Sequence, residues 1–249
     1  MKTYLLGDIH GEFDRCVDIL RHVGLIDEND NWRKGVRDTL IQVGDVIDRG
    51  ESIIESYKLI RDIQEQAEVE GGSVIRLLGN HELGYIGGPK ITSREEGYKL
   101  AHVIKMDIAA RKLIAAHLLD DWVVVHAGIT PEIASGHEPE GLVNDFNDKL
   151  IWASANDDFS DDIFCHGTSR GGLHEPGIFW ADYDVDLIPV EEKLIKQIVG
   201  HSPPHAIKPE IRVSPNGRVI NIDLGMCKMY GGHKGILLYE DNEFKPIII

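Results

Sequence analysis

Five short apolar or β-branched runs in this chain stop abruptly, most of them at a glycine, and give way to a cluster containing Asp, Asn or His. Residues 3–6 lead into GDIHG at 7–11, and residues 39–43 into GDVIDRG at 44–50. Residues 74–78 precede GNHE at 79–82, residues 122–125 precede HAG at 126–128, and residues 198–199 precede GHS at 200–202. Turn chemistry accounts for Gly and Asp after a strand. It gives no reason for His and Asn to recur at strand ends, which is where open α/β sheets place their ligands.

The intervening sequence supplies helices. Val17, Ile19, Leu20 and Val23 mark one apolar face, and Ile53, Ile54, Tyr57, Ile60 and Ile63 mark a second that runs to about residue 66, with Gly71-Gly72 ending the return. Strand, helix, strand is the βαβ pattern and defines an α/β protein. A further helix is expected over about 95–119, and later runs at 219–222, 236–239 and 246–249 read as strands without a polar terminus. Residues 130–177 are rich in Gly, Asp, Asn and Pro and read as a loop-rich insert or cap beside the site. The acidic cluster Asp157, Asp158, Asp161 and Asp162 lacks EF-hand spacing and reads as a solvated face, with calcium binding as the alternative.

With 26 Lys and Arg against 42 Asp and Glu, the 249 residues carry a formal charge of -16. That excludes a generic nucleic-acid coat, whose affinity comes from cations on phosphates. Three scattered cysteines form neither a CxxC pair nor a disulfide framework. No segment reads as a signal peptide or a membrane span, so a cytoplasmic location away from membranes is expected.

If the chain stays extended past Gly7, Asp8 and His10 point the same way and can hold one metal. Asp45, on a neighbouring strand, can bridge two cations through its two oxygens, with Asn80, His126 and His201 completing a second set. Asn80 coordinates without adding charge, so two divalent cations facing Asp8 and Asp45 remain net positive and attract phosphate. Carboxylate, imidazole and amide oxygen suit Mn, Fe, Zn or Co. Beside these ligands, His81 is a candidate general acid, Asp48 a partner for its other ring nitrogen, and Arg49 a planar fork for two phosphate oxygens. Of the other histidines, His22, His102 and His117 lie in helical patterns and read as surface or helix-end residues. His137, His166 and His174 read as exposed in the insert, whereas His205 and His233 fall near enough to the clusters to line a pocket.

On these motifs, which occur in order across most of the chain, the sequence resembles the calcineurin-like metallophosphoesterases, and within them a compact, prokaryotic-like form of the phosphoprotein phosphatase type of serine/threonine phosphatases. The resemblance implies a single catalytic domain over 1–249, with a β-sandwich flanked by helices and a dinuclear metal site at the strand ends. It places Asp8 and His10 on one metal, Asp45 between the two, and Asn80, His126 and His201 on the other, with His81–Asp48 as acid dyad and Arg49 as phosphate clamp. Two divalent ions are implied, manganese foremost, and a direct attack of metal-bound hydroxide on phosphorus without a phosphoenzyme. The sequence departs from the pattern at Leu78 and Ala127, where many eukaryotic members have arginine and glycine. Nor does an arginine follow Trp180, whose successors are Ala181, Asp182 and Tyr183. Arg170 is a substitute from the insert or else a surface-turn residue, and Tyr230 is a pocket residue. No long tail for regulatory subunits is evident. The expected activity is hydrolysis of phosphoserine or phosphothreonine, with tolerance of phosphotyrosine, on a phosphorylated protein or a small phosphoester. Hydrolysis of a dinucleoside polyphosphate is the enzymatic alternative, and a non-catalytic metal or phosphate sensor is the alternative of another class.

Overall fold

The computed structural model describes residues 1–90, 92–134, 136–204 and 208–249. Its elements run β1 (Thr3–Leu6), α1 (Phe13–His22), β2 (Thr39–Gln42), α2 (Ile53–Glu70), β3 (Ser73–Leu77), α3 (Asn80–Ile86), α4 (Glu95–Ala109), β4 (Leu113–Ile114), β5 (Ala116–Leu119) and β6 (Trp122–Val125). They continue with α5 (Pro131–Ala134), α6 (Pro139–Asn156), β7 (Gln197–Val199), β8 (Arg212–Val213), β9 (Val219–Asn221), β10 (Gly235–Glu240) and β11 (Glu243–Ile248). Two mixed sheets form, one in the order β11-β10-β1-β2-β3-β4 and the other in the order β5-β6-β7-β9-β8.

Strand alternation explains why the sheets stack. Leu5, Ile41, Leu77 and Leu237 of the first sheet meet Val124, Ile198 and Ile220 of the second in one buried cluster. Their neighbours Tyr4, Leu6, Leu40 and Val74 face the other way, into the layer made by Val17, Leu20, Tyr57, Ile60, Ile63 and Ile104 of the helices. Both faces of the central strands are therefore buried, which is why these runs are continuously apolar rather than alternating. β1, β2 and β3 are mutually parallel, as are β6, β7 and β9, so each set of loops emerges together at one edge.

Three segments depart from expectation. The helix after residue 95 stops at Ala109, and 113–119 forms two strands, placing His117 on β5. The physical cause is the Asp120-Asp121 turn, with Asp120 at φ 52, which folds Ala116–Leu119 back onto Trp122–Val125 as an antiparallel pair. The segment 130–177 is less loop-rich than its composition implies, because Pro139–Asn156 is an 18-residue helix. Its Leu142, Phe146 and Leu150, spaced four apart, are buried against the core. Lastly, the chain is not extended past Gly7: His10 has φ 50, in the left-handed region. Among the histidines read as peripheral, His22, His102, His137 and His174 are exposed. His166 is half-buried, with its ring edge-on to Trp180 at 4.1 Å. His205 lies outside the described residues.

Candidate metal centre

Turns rather than extended backbone bring the ligand-type side chains together. His10, Asp45, Asp48, Arg49 and His201 all take left-handed φ between 50 and 66. Such strain persists only where the surroundings over-determine it. The main determinant is Glu82, a buried carboxylate in the first turn of α3. It accepts the N–H groups of Asp45, Val46, Ile47 and Gly79 at 2.9 to 3.1 Å, and so fastens the loop after β2 to the loop after β3. Burial first, and then the charge of Asp45, push the Glu82 carboxyl up to about 7, against the pull of those backbone donors. Gly79 permits the approach, since a Cβ there would overlap Asp45 N and Oδ1.

Asp45 lies at the middle of the cluster. Its Oδ2 is 3.6 Å from His10 Nε2, and its Oδ1 is 3.5 Å from His126 Nε2. Asp8 Oδ2 is 3.8 Å from His10 Nε2, while its other oxygen accepts the His201 N–H at 3.1 Å. On the far side, Asn80 Oδ1 faces His126 Nε2 at 2.8 Å and His201 Nδ1 at 3.1 Å, and the two imidazole nitrogens are 3.2 Å apart. Two groups of ligand-type atoms result, His10–Asp45–His81 and Asp45–His126–His201, with Asp45 common to both.

The donor set fits metal ions. His10 Nδ1 is 3.1 Å from the Ile47 carbonyl and His126 Nδ1 is 2.9 Å from the Val43 carbonyl, which fixes both rings with Nε2 as a free lone pair turned inward. With the Asn80 oxygen turned inward, acceptors face acceptors; turning that amide over lets its NH2 donate to His126, His201 and Asp45, but Asp8 Oδ2 is buried without a partner among the described residues in either case. A cation resolves each of these conflicts. Burial lowers His10 to about 3 and His126 and His201 below their ordinary value, keeping them neutral as ligands must be. Burial also pushes Asp8 well up, reinforced by Asp223 and Asp45.

Beside this cluster, His81 Nδ1 is 2.7 Å from Asp48 Oδ2, and Asp48 also accepts from the Tyr85 and Thr92 hydroxyls, each at 2.7 Å. The far nitrogen, His81 Nε2, meets Arg49 Nη2 at 3.3 Å. His81 and Arg49 open onto a cavity of about 170 Å³, walled also by His10, Asp45, Arg170 and Tyr230 together with Asp182, Asp184 and His201. Arg170 thus reaches the site from the 168–170 turn, held by Asp182 at 2.8 Å, and Tyr230 lies under Arg49 with 5.2 Å from Cζ to the ring centroid. His233 does not line this cavity. Nor do the acidic residues near 157–162 gather into a ligand group among the described residues: Asp157 pairs with Lys105 and Asp161 with Lys149.

Sequence reasoning missed Glu82 as an anchor, Asp182 as the partner of Arg170, and Asp223, which burial pushes up to about 7 beside Asp8. For Glu82 the signal was present, because a Glu three residues after a glycine that opens a helix can reach back to the cap N–H. For Asp182 there was none, since its partner lies twelve residues away across a loop.

A sandwich carrying a carboxylate–imidazole–amide cluster at its strand ends, with a histidine–carboxylate pair and arginines around one cavity, defines a phosphoric-ester hydrolase of the metallophosphatase class. Residues 1–224 match the calcineurin-like phosphoesterase family, and the chain belongs to it. An uncharacterized protein of Schizosaccharomyces pombe is 27% identical over 286 aligned residues, covering 99% of this chain and 79% of the relative. Shewanella-like protein phosphatase 1 of Plasmodium berghei is 43% identical over 81 residues, or 32% of this chain and 22% of that protein. The symmetrical bis(5'-nucleosyl)-tetraphosphatase of Aliivibrio fischeri is 28% identical over 171 residues, or 63% of this chain and 57% of that enzyme. The chain thus spans less than two thirds of both relatives whose names carry an activity. The crystal structure of a cold-active protein-tyrosine phosphatase from a psychrophilic Shewanella superposes with a TM-score of 0.73 at 20% identity, over 99% of this chain and 80% of that one, which establishes the shared fold. No described helix is long and apolar enough to cross a membrane.

Proposed function

We propose that this chain hydrolyses phosphomonoesters of serine and threonine in proteins, with phosphotyrosine also accepted, and does so in the cytoplasm with two divalent cations, manganese foremost. Asp8 and His10 would hold one cation and Asn80, His126 and His201 the other, with Asp45 available to both. Bound there, the pair supplies positive charge for phosphoryl oxygens and a lowered pKa for attacking water. The chain's own residues do the rest. Arg49 and Arg170 approach the cavity from opposite loops and orient the phosphate through charge-assisted hydrogen bonds. His81 gives its Nε2 proton to the leaving oxygen, while Asp48 accepts the Nδ1–H and holds the tautomer. Arg49 can donate to His81 Nε2 only while the imidazole is neutral, so protonation of His81 frees the guanidinium for phosphate.

The observation that carries this reading is the 2.7 Å bond between His81 and Asp48. A serine alkoxide is a poor leaving group and needs a proton, whereas cleavage of a phosphoanhydride expels a weakly basic phosphate oxygen on the departing nucleotide and needs little help. A metal or phosphate sensor needs no donor at all. The tetraphosphatase relative favours the anhydride alternative by the length of its alignment. Assays of the manganese-loaded protein on phosphoserine peptides and on diadenosine tetraphosphate separate the two. The peptides are expected to turn over, and His81→Ala is expected to keep its cations while losing about 10²- to 10⁴-fold of that rate. Turnover of the dinucleotide alone overturns the protein-phosphatase reading, and unchanged peptide hydrolysis by His81→Ala removes the proton donor.

A further inference from the structure

Arg49 is exposed, and its side chain is held at the cavity by little besides Tyr230 beneath it, Met229 Sδ at 3.6 Å and His81. Met229 and Tyr230 sit on a short turn, Lys228–Tyr230, with glycines on both sides. Gly225, Gly231 and Gly232 have positive φ, and the turn closes on itself through the Tyr230 and Gly232 N–H groups on the Cys227 carbonyl and the His233 N–H on the Gly225 carbonyl. A tie between this turn and the loop after β1 comes from the other end of the chain. Glu12, buried two residues after His10, accepts the Lys228 N–H on Oε1 at 3.0 Å. Its Oε2 is 3.4 Å from Arg15 Nε, and Arg15 Nη1 donates to the Gly232 carbonyl. A Cβ at Gly232 would come within 2.8 Å of Arg15 Cζ, so the guanidinium lies directly on that glycine. One ion pair at the start of α1 therefore grips the Met229–Tyr230 turn at both ends.

We infer that Glu12 and Arg15 form a positioning pair that sets the Met229–Tyr230 turn, and through it the Arg49 guanidinium, for binding of the phosphate group. The inference rests on the proposed role of Arg49. The pair touches neither substrate nor cation. It acts by holding an exposed, entropy-rich arginine in one orientation before the anion arrives, which lowers the ordering cost of binding.

The test uses the full chain loaded with manganese and reads inorganic phosphate binding by calorimetry, so it stands even if no phosphoester is turned over. Glu12→Ala is expected to weaken phosphate binding about tenfold, with both cations retained, and to speed exchange of the Lys228 amide proton. Glu12→Gln keeps an acceptor for that N–H and is expected to recover most of the affinity. On a Tyr230→Ala background, Glu12→Ala is expected to add little further loss, because both changes release the same guanidinium. Arg15→Gln is the second variant and is expected to weaken binding in the same direction, which keeps the inference testable if Glu12→Ala fails to fold. Affinity within twofold of the unaltered chain in both Glu12→Ala and Arg15→Gln overturns the inference. So does an undiminished loss on the Tyr230→Ala background, or loss of cations along with phosphate, which would make the pair a structural support of the metal centre.

Discussion

The loops after β1, β2 and β3 and the segment 157–186 face the same cavity, yet they are built on opposite terms. In the first region, four non-glycine residues, His10, Asp45, Asp48 and Arg49, are held in left-handed backbone. Glu82 draws four N–H groups onto one buried carboxylate, and glycines let the backbones touch. In the second, Arg170 stands exposed on a three-residue turn, steadied by Asp182 and by the Ser169–Asp186 hydrogen bond at 2.8 Å. Convergence of several ligands on one point tolerates errors of well under 1 Å, so every atom there is over-determined. A guanidinium that only has to meet an incoming anion needs charge and reach, and a surface turn provides both.

The contrast ranks the substitutions. Gly79→Ala forces a methyl group onto Asp45 in the rigid region, and overpacking of this kind costs about 1–3 kcal/mol. Because Asp45 is common to both ligand groups, the expected outcome is a lower melting temperature together with loss of both cations by elemental analysis. Full metal occupancy in that variant would show that the first region is less constrained than its contacts imply.

Asp48→Asn comes next, and pH reads it. Burial opposes the His81 imidazolium, but the Asp45 charge and the Asp48 hydrogen bond outweigh it, so the His81 pKa lies above its ordinary value. The protonated donor is present below that raised pKa and is lost as pH rises through it. Hydrolysis of an alkyl phosphomonoester therefore falls along the alkaline limb. On the proposed reading, cations at Asp45 would offset that carboxylate's share and leave Asp48 as the main hold on the proton. Asp48→Asn is expected to move the alkaline limb to lower pH in a rate–pH profile, and an unmoved limb contradicts the dyad.

In the second region the effects shrink. Arg170→Ala is expected to raise KM about tenfold, equivalent to ~1.4 kcal/mol, with kcat and melting temperature nearly unchanged. A fall in kcat alone would mean that Arg170 serves the transition state rather than binding. Smallest of all, Asp157→Asn removes the exposed charge facing Lys105 while keeping a residue type that tolerates the left-handed backbone at φ 54, and is expected to shift stability by less than about 0.5 kcal/mol. A calcium-dependent rise in melting temperature that this variant abolishes would overturn the reading of the 157–162 carboxylates as a solvated face.

The same contrast explains what could be read from the residues alone. Runs 3–6 and 122–125 coincide with β1 and β6, because a continuous apolar strand that ends at a polar cluster is a local signal. The six ligand-type residues were legible for the same reason, each lying one to four residues past a strand end. Their means of convergence was not, since the left-handed turns at His10 and Asp45 depend on Glu82, more than thirty residues downstream of Asp45. Beyond residue 130, composition misled: Gly, Asp and Asn concealed the buried stripe of Leu142, Phe146 and Leu150. Similarly, 113–119 read as helix because the pairing partner of Ala116–Leu119 comes only after the Asp120-Asp121 turn.

The central claim is that Asp45 bridges two cations whose other ligands come from both sheets. Anomalous diffraction from crystals grown with manganese tests it most directly. Two peaks about 3.5–4 Å apart are expected on either side of Asp45, one against Asp8 and His10 and the other against Asn80, His126 and His201. A map with no peak between His126 and His201, or with a single ion that leaves Asp45 uncoordinated, would contradict it.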